Sequence, residues 1–262
     1  MQIVIVPDRL QMGRWVADRA AAELTRVITE CGEARLLIAT GASQFEVLDE
    51  LSKHNEVDWR QVSGFHLDEY IGLASDHPAS FCGYLAARFV DRVPLKQFHY
   101  LRGDSDPALT IQAASDAINA HSTAQSTGRA PIDVALVGIG ENGHLAFNDP
   151  PADFDCNDPY IIVKLDDACR KQQVGEGWFS GMDKVPTHAI SMSIRQIMKS
   201  AKIFCSVPDE RKAEAVKNSV EGPITCDVPA SILQQHPAAM LIIDRAASTL
   251  LSPATLEIAE SL

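Results

Sequence analysis

The sequence predicts a single α/β domain in which a mostly parallel, doubly wound sheet is flanked by helices on both faces. Short apolar segments alternate with amphipathic stretches along the chain, a pattern typical of successive β-α units. Several apolar segments, among them IVIV, LLIA, VALV and LIID, contain no polar alternation, as expected of strands covered on both faces. No linker or internal repeat divides the 262 residues, so we expect one domain over residues 1–262.

Eight segments are predicted as strands. They are Gln2–Val6, Arg35–Ala39, Val62–Leu67, Ile132–Val137, Tyr160–Leu165, His188–Ser193, Lys202–Val207 and Ala239–Ile243. Amphipathic helices are predicted between them. In the first, the apolar residues Met12, Trp15, Val16, Ala20, Leu24, Val27, Ile28 and Cys31 recur every three or four positions, which places them on one helix face. Two further predicted helices are Thr110–Gln125 and Glu210–Val220.

Composition excludes several classes of protein. Lys and Arg number 23 against 35 Asp and Glu, a net charge of −12, so the chain is a poor candidate for binding nucleic acid or an anionic membrane surface. No stretch approaches the ~18–20 apolar residues of a transmembrane helix, and the N-terminus lacks the features of a signal peptide. The six cysteines have no zinc-like spacing, and we expect reduced thiols in a cytoplasmic protein.

Ligands of open α/β sheets bind at the carboxyl ends of strands, which directs attention to four loops. The first passes from a predicted strand into a helix through Thr40, Gly41, Ala42 and Ser43. Such a turn can hold a phosphate, or Ser43 can simply cap the helix. In the second loop, Asp68 and Glu69 directly follow an apolar strand. Two adjacent carboxylates at a strand end can provide a base with a shifted pKa. Alternatively, they lie in a solvated loop in which the Asp caps a helix.

The third loop contains a glycine pattern, G-x-G-x-x-G, at Gly138, Gly140 and Gly143. A dinucleotide site needs a helix that begins at these glycines, and Pro150-Pro151 would end such a helix almost at once. The segment is instead expected to present His144 near Asp149, a pair that can move protons near neutral pH. In the fourth loop, Lys212 either faces an anion at the strand ends or is solvated.

Taken together and in order, these loops resemble the glucosamine-6-phosphate deaminase (isomerase) family. The resemblance runs from Val4 to about Asp244, and its most specific pieces are LDEYIGL with DHPASF, GIGENGHLAFNDP and SILQQHP. It implies a parallel α/β fold. It also implies an enzyme that isomerises and deaminates an aminosugar phosphate to give the ketose phosphate and ammonia, which we class as a hydrolase. It also implies no metal or organic cofactor and a small sugar phosphate as the partner, and it leaves a homo-oligomer open.

The resemblance also implies roles for individual residues. The candidate catalytic residues are the base Asp68, the ring-opening His144, the carboxylate Asp149 that orients it, and Asn142, which stands where many members have Asp. The candidate phosphate-binding residues are Thr40, Gly41, Ala42, Ser43, Lys212 and Arg170.

The sequence departs from the family pattern at two places. Asp149 is one methylene shorter than the usual Glu, so we expect its hydrogen bond to His144 to need a water or a backbone shift. In a predicted lid around residues 165–188, the family's phosphate-binding Arg falls near Gly175. Either Arg170 or Lys171 takes its place, or the distal group of the substrate differs.

Four alternatives remain open at this stage. The 6-phosphogluconolactonase family resembles this chain in its fold and in its glycine segment. A galactosamine-6-phosphate deaminase would use the same catalytic residues. A non-catalytic sugar-phosphate sensor is disfavoured because both Asp68 and His144 are present. A metal hydrolase using His66, Asp68 and His144 lacks a recognised ligand spacing.

Overall fold

The computed structural model describes residues 1–123 and 129–262 of the chain. The strands are β1 (Gln2–Val6), β2 (Ala34–Ile38), β3 (Val62–His66), β4 (Asp68–Tyr70), β5 (Gln97–His99), β6 (Val134–Val137), β7 (Tyr160–Lys164), β8 (His188–Met192), β9 (Lys202–Val207), β10 (Ala239–Asp244) and β11 (Glu260–Ser261). The α-helices are α1 (Arg9–Cys31), α2 (Phe45–Leu51), α3 (Phe81–Leu85), α4 (Pro107–Thr123), α5 (Asp167–Gly175), α6 (Ile194–Ile197), α7 (Ala213–Glu221) and α8 (Pro253–Ile258). Shorter helical turns are Ala42–Gln44, Trp59–Gln61, Ala86–Val90, Glu210–Lys212 and Pro229–Gln235.

The main sheet has eight strands in the order β11-β1-β10-β9-β6-β2-β3-β5, and each neighbouring pair is parallel. Successive side chains of its strands enter two different cores: Leu36 and Ile38 lie in one, and Leu37 lies in the other. Helices α1, α2 and α3 contribute to the first core, and α4, α6 and α7 contribute to the second. The predicted parallel sheet with helices on both faces is therefore confirmed.

A second, antiparallel sheet has the order β4-β8-β7. The segments predicted as strands at Tyr160–Leu165 and His188–Ser193 pair here rather than in the main sheet. Strand β7 exposes every second residue, as antiparallel sheets that face solvent on one side do. Three strands, β4, β5 and β11, were not predicted, because two or three residues are too few to show a periodic pattern.

The predicted N-terminal helix is confirmed as α1. The side chain of Asp8 accepts the Gln11 N–H at 2.9 Å, and Gly32 ends the helix at a φ of +80°, a left-handed conformation that suits glycine. Cys31, which we placed on the apolar face, is exposed. The predicted helix from Thr110 is α4, and the end predicted for it at Gln125 lies outside the described residues.

All six cysteines are free. Within the two described ranges, none of the helices has the length and apolar character needed to span a membrane.

Candidate active site

The four loops singled out in the sequence meet at one cavity beside the carboxyl ends of β2, β6 and β9. Its lining includes the 40–43 loop, Asp68, His144 and Lys212. Asp149 and Asn142 do not line the cavity and contact His144 instead. Arg170 is the one predicted site residue that neither lines the cavity nor contacts His144, because its guanidinium donates to backbone carbonyls of the 165–188 segment. Parallel strands end at the same edge of a sheet, which is why loops distant in sequence converge here.

His144 contacts its predicted partner directly. Its Nδ1 lies 3.0 Å from Oδ1 of Asp149. Of the two expectations for the shorter Asp side chain, a bridging water is therefore not needed, and the backbone shift stays a prediction. The imidazole lies against the backbone of Gly140, where an added Cβ would be only 2.2 Å from His144 Nε2. The glycine pattern of this loop therefore accommodates a histidine ring, and no helix begins at it.

Asn142 connects three groups around this pair. Its amide donates to Asp149 at 3.0 Å and to Asp166 at 3.1 Å, and its carbonyl oxygen accepts the backbone N–H of His144 at 3.1 Å. Burial by itself would raise the pKa of Asp149, but hydrogen bonds from His144, Asn142 and the Asp166 backbone, with the His144 charge, lower it. Asn142 thus bridges the carboxylates of Asp149 and Asp166 and the backbone of His144.

Asp68 is a buried carboxyl in the cavity wall. The residue is only 6% exposed. It is the first residue of β4, where its backbone is paired with Ser191 of β8. Burial, and then the neighbouring charge of Glu69, raise its pKa well above the ordinary value. A carboxyl of this kind can hold or release a proton closer to neutral pH than a solvated Asp.

The neighbours of Asp68 have structural roles. Glu69 accepts hydrogen bonds from the N–H groups of Tyr70 and Cys82 and from the Ser80 hydroxyl, so it secures the start of α3. The Tyr70 hydroxyl donates to Gln173 on α5 at 2.7 Å. Because side chains alternate along a strand, consecutive residues of the D-E-Y motif face different partners.

The 40–43 loop is held against β6. Gly41 has a φ of +99°, and its carbonyl accepts the Tyr84 hydroxyl at 3.0 Å. Gly138 gives room to Ser43, since a Cβ there would lie 2.7 Å from the Ser43 Oγ. Ser43 lies inside the helical turn before α2, and no side-chain cap is formed at either helix start, so the interpretation of Ser43 as a plain helix cap is wrong.

Lys212 is buried beside this loop and is not solvated. The residue is 8% exposed. Burial, together with the nearby Arg211 charge, lowers the pKa of its ammonium group, while Glu176 and Glu141 act in the opposite direction. A buried cation of this kind gains most from an anionic ligand.

The 165–188 segment presents an acidic rather than a basic group to the cavity. Arg170 donates to the carbonyls of Met182 and Val185, the latter at 3.1 Å, and Lys171 is exposed. Neither lines the cavity, which corrects the expectation that one of them replaces the missing Arg. Gln172, Gln173 and Glu176 line it instead.

Sequence reasoning missed four charged residues of the cavity lining, Arg9, Glu176, Asp209 and Arg211. Arg9 and Asp209 follow the carboxyl ends of β1 and β9, so the rule that led to the four loops could have found them. Asp209 has a φ of +90° and accepts Arg211 at 3.0 Å. Its backbone N–H donates to both carboxylate oxygens of Asp244 at 3.1 Å, which holds this unusual conformation.

The structure does not assemble the alternative metal set. His66 is a core residue whose Nδ1 accepts the Leu101 N–H at 3.3 Å, and burial lowers its pKa to about 3. A different group, His144, Asp149 and Cys169, has ligand atoms within 4.8 Å of one another. Burial raises the pKa of the Cys169 thiol.

A family model described as glucosamine-6-phosphate isomerases/6-phosphogluconolactonase matches residues 7–242. The chain belongs to this family. A glucosamine-6-phosphate deaminase of Oenococcus oeni is 37% identical over 252 residues, covering 96% of this chain and 99% of the relative. One from Exiguobacterium sibiricum is 36% identical over 249 residues, covering 91% and 93%.

Solved structures of the glucosamine-6-phosphate isomerase/6-phosphogluconolactonase family share this fold. A monomeric glucosamine-6-phosphate deaminase matches with a TM-score of 0.84 and 27% identity over 95% of this chain and 100% of that one. The 6-phosphogluconolactonase from Trypanosoma cruzi matches with a TM-score of 0.76 and 12% identity, over 96% and 97%. At 12% identity the second likeness concerns the fold alone. The family resemblance found in the sequence is confirmed.

Proposed function

We propose that this chain is a glucosamine-6-phosphate deaminase, which converts glucosamine 6-phosphate and water to fructose 6-phosphate and ammonia. The observation that carries the proposal is one cavity lined by a buried carboxyl, a carboxylate-paired imidazole and a buried ammonium group, from Asp68, His144 and Lys212. The curated relatives named glucosamine-6-phosphate deaminase, which match over nearly the whole chain, support the same activity.

The first step opens the pyranose ring. A proton must leave the C1 hydroxyl and another must reach the ring oxygen O5. In our proposal, His144 exchanges these protons, and Asp149 fixes the imidazole orientation through the 3.0 Å contact. Asn142 and the Asp166 backbone hold Asp149 in turn. A neutral imidazole has one ring nitrogen that donates a proton and one that accepts a proton, so the same side chain can serve both transfers.

The second step moves a proton from C2 to C1 of the open aldehyde. Asp68 is the proposed base: it takes the C2 proton, a proton of the substrate's ammonium group moves to O1 to give an enolamine, and Asp68 returns its proton to C1. The pKa of Asp68, raised by burial, suits both halves of this transfer, because the carboxylate is a stronger base and the acid still forms readily. The product is an iminium at C2.

The last step releases ammonia. Water adds to the C2 iminium, the C–N bond breaks, and the ketose phosphate remains. Water enters only here, and the names of the relatives describe a deaminase rather than a hydrolase. The 40–43 loop and Lys212 are the proposed phosphate contacts, and the 165–188 segment is the proposed lid. The six free cysteines support a reducing compartment such as the cytoplasm.

The test is a coupled ammonia assay with glucosamine, galactosamine and both 6-phosphates, run beside 6-phosphogluconolactone hydrolysis. We expect ammonia from glucosamine 6-phosphate and little from the unphosphorylated sugars. Faster release from galactosamine 6-phosphate would reassign the sugar epimer while keeping the chemistry. Lactone hydrolysis without ammonia release would refute the proposal.

A further inference from the structure

The cavity lining offers few unpaired cations that could balance the charge of a bound phosphate. The 165–188 segment, all of which is described, contributes Glu176 and two glutamines to the lining and neither Arg nor Lys. Arg211 lines the cavity, but its guanidinium already pairs with Asp209 at 3.0 Å and with Glu141 at 3.6 Å. Lys212 alone would balance only part of the charge of a phosphate dianion.

Arg9 is a further cation in the same lining. It is the first residue of α1, and its Nη2 donates to the carbonyl of Ala42 at 2.6 Å and to Glu46 at 3.2 Å. Its Nε is buried and has no hydrogen-bond partner among the described residues. A buried N–H without a partner is unfavourable, so a small shift of the guanidinium that brings this N–H to an oxygen of a bound anion would be favourable.

The position of Arg9 is fixed by tight helix packing. A Cβ added to Gly13, one turn further along α1, would lie 2.5 Å from the Cβ of Glu46 on α2. Helix α1 is 23 residues long and its inner face is buried. Arg9 is therefore held against the 40–43 loop by a rigid element, and its position does not depend on the 165–188 segment.

We propose that Arg9 is a phosphate-binding residue of this cavity and takes the part that the family resemblance assigns to an arginine of the lid. A guanidinium offers several donors in a plane that matches phosphate oxygens. Glu46 pairs with Arg9 when no phosphate is bound and competes with phosphate for the guanidinium. The inference rests on the proposed function, in which the 40–43 loop receives the phosphate.

The test compares Arg9→Met, Glu46→Gln and the control Arg14→Met. Arg14 is exposed on the same helix, so its variant loses the same charge away from the cavity. Binding of inorganic phosphate is measured by calorimetry, and the KM for glucosamine 6-phosphate is measured in parallel. We expect Arg9→Met to weaken phosphate binding and raise KM roughly tenfold, as the loss of a charge-assisted hydrogen bond does.

Glu46→Gln distinguishes ligand binding from loop support. It removes the competing carboxylate while Arg9 keeps its bond to Ala42, so phosphate should bind roughly two- to fivefold more tightly. If Arg9 only supported the loop, Glu46→Gln would leave phosphate affinity unchanged or weaken it, and that result would overturn the inference. Equal phosphate affinity in Arg9→Met and Arg14→Met would also overturn it.

The inference and the proposed function can fail separately. If the wild-type chain released no ammonia from glucosamine 6-phosphate, the proposed function would be refuted. The calorimetric comparison of phosphate binding needs no turnover, so it would still decide the role of Arg9.

Discussion

Replacing Gly140 with alanine should disable the His144–Asp149 pair without removing any functional group. The new Cβ would lie 2.2 Å from His144 Nε2, 2.3 Å from Cε1 and 2.5 Å from Cδ2, whereas ordinary contact begins at 3.4 Å. The ring would have to retreat by about 1.2 Å, the difference between these contact distances. A movement of this size breaks the 3.0 Å contact with Asp149, and a displacement of about 1 Å at a reacting group can cost roughly 10²-fold in rate.

The assay for Gly140→Ala is ammonia release at saturating glucosamine 6-phosphate, with thermal unfolding and phosphate binding as companion measurements. We expect kcat to fall about 10²-fold while phosphate binding is unchanged, because the 40–43 loop is not displaced. Gly175→Ala is the control, since its Cβ would meet nothing within 4 Å; it should keep its activity. A Gly140→Ala enzyme with the wild-type kcat would refute the assignment of His144 as the proton-transfer group positioned by this packing.

Three further predictions follow from the buried charges. Asp68→Asn should lower kcat by about 10²–10⁴-fold with little change in KM, and near-normal turnover would exclude Asp68 as the base. The same variant should unfold at a higher denaturant concentration than the wild type at neutral pH. Burial makes the ionised form of Asp68 unfavourable, which is why its pKa is raised, and this cost is absent from the Asn variant. This advantage should vanish below the ordinary Asp pKa of 3.8, where Asp68 is protonated in both the folded and unfolded states; a pH-independent difference would contradict the reasoning. Lys212→Ala should mainly raise KM, because a phosphate contact persists through the reaction, and an unchanged KM would remove Lys212 from the binding site.

The net charge of −12 acts against the approach of a sugar phosphate. The cavity offsets this unfavourable field locally, because Lys212 and Arg9 stand beside the 40–43 loop. Glu176 makes the offset harder, since it adds a carboxylate where the resemblance led us to expect an arginine. An acidic protein that binds an anion therefore depends on a few buried or oriented cations at one edge of its sheet.

Much of the fold and of the site could be predicted from local patterns. Each of the eight predicted strand segments overlaps an observed strand. For the segments in the main sheet, the reason is that strands buried on both faces are largely apolar runs. Asp68, His144 and Lys212 were singled out because they lie in loops that follow such strands, and the family resemblance implied their roles. The structure brings all three into one cavity lining. The pairing of β7 and β8 in a separate sheet could not be predicted, since pairing partners are chosen by packing between distant segments.

The sequence by itself determined the α/β fold and the loops that carry the proposed chemistry, because apolar periodicity and strand-end motifs are properties of neighbouring residues. Only the tertiary structure decided which cations face the cavity. Arg170 lies in the expected segment but donates to the carbonyls of Met182 and Val185, whereas Arg9 reaches Ala42 from 33 residues away. The physical reason is that a side chain's direction, and its distance from a remote loop, are set by how helices pack on the sheet and not by the residues beside it in the chain.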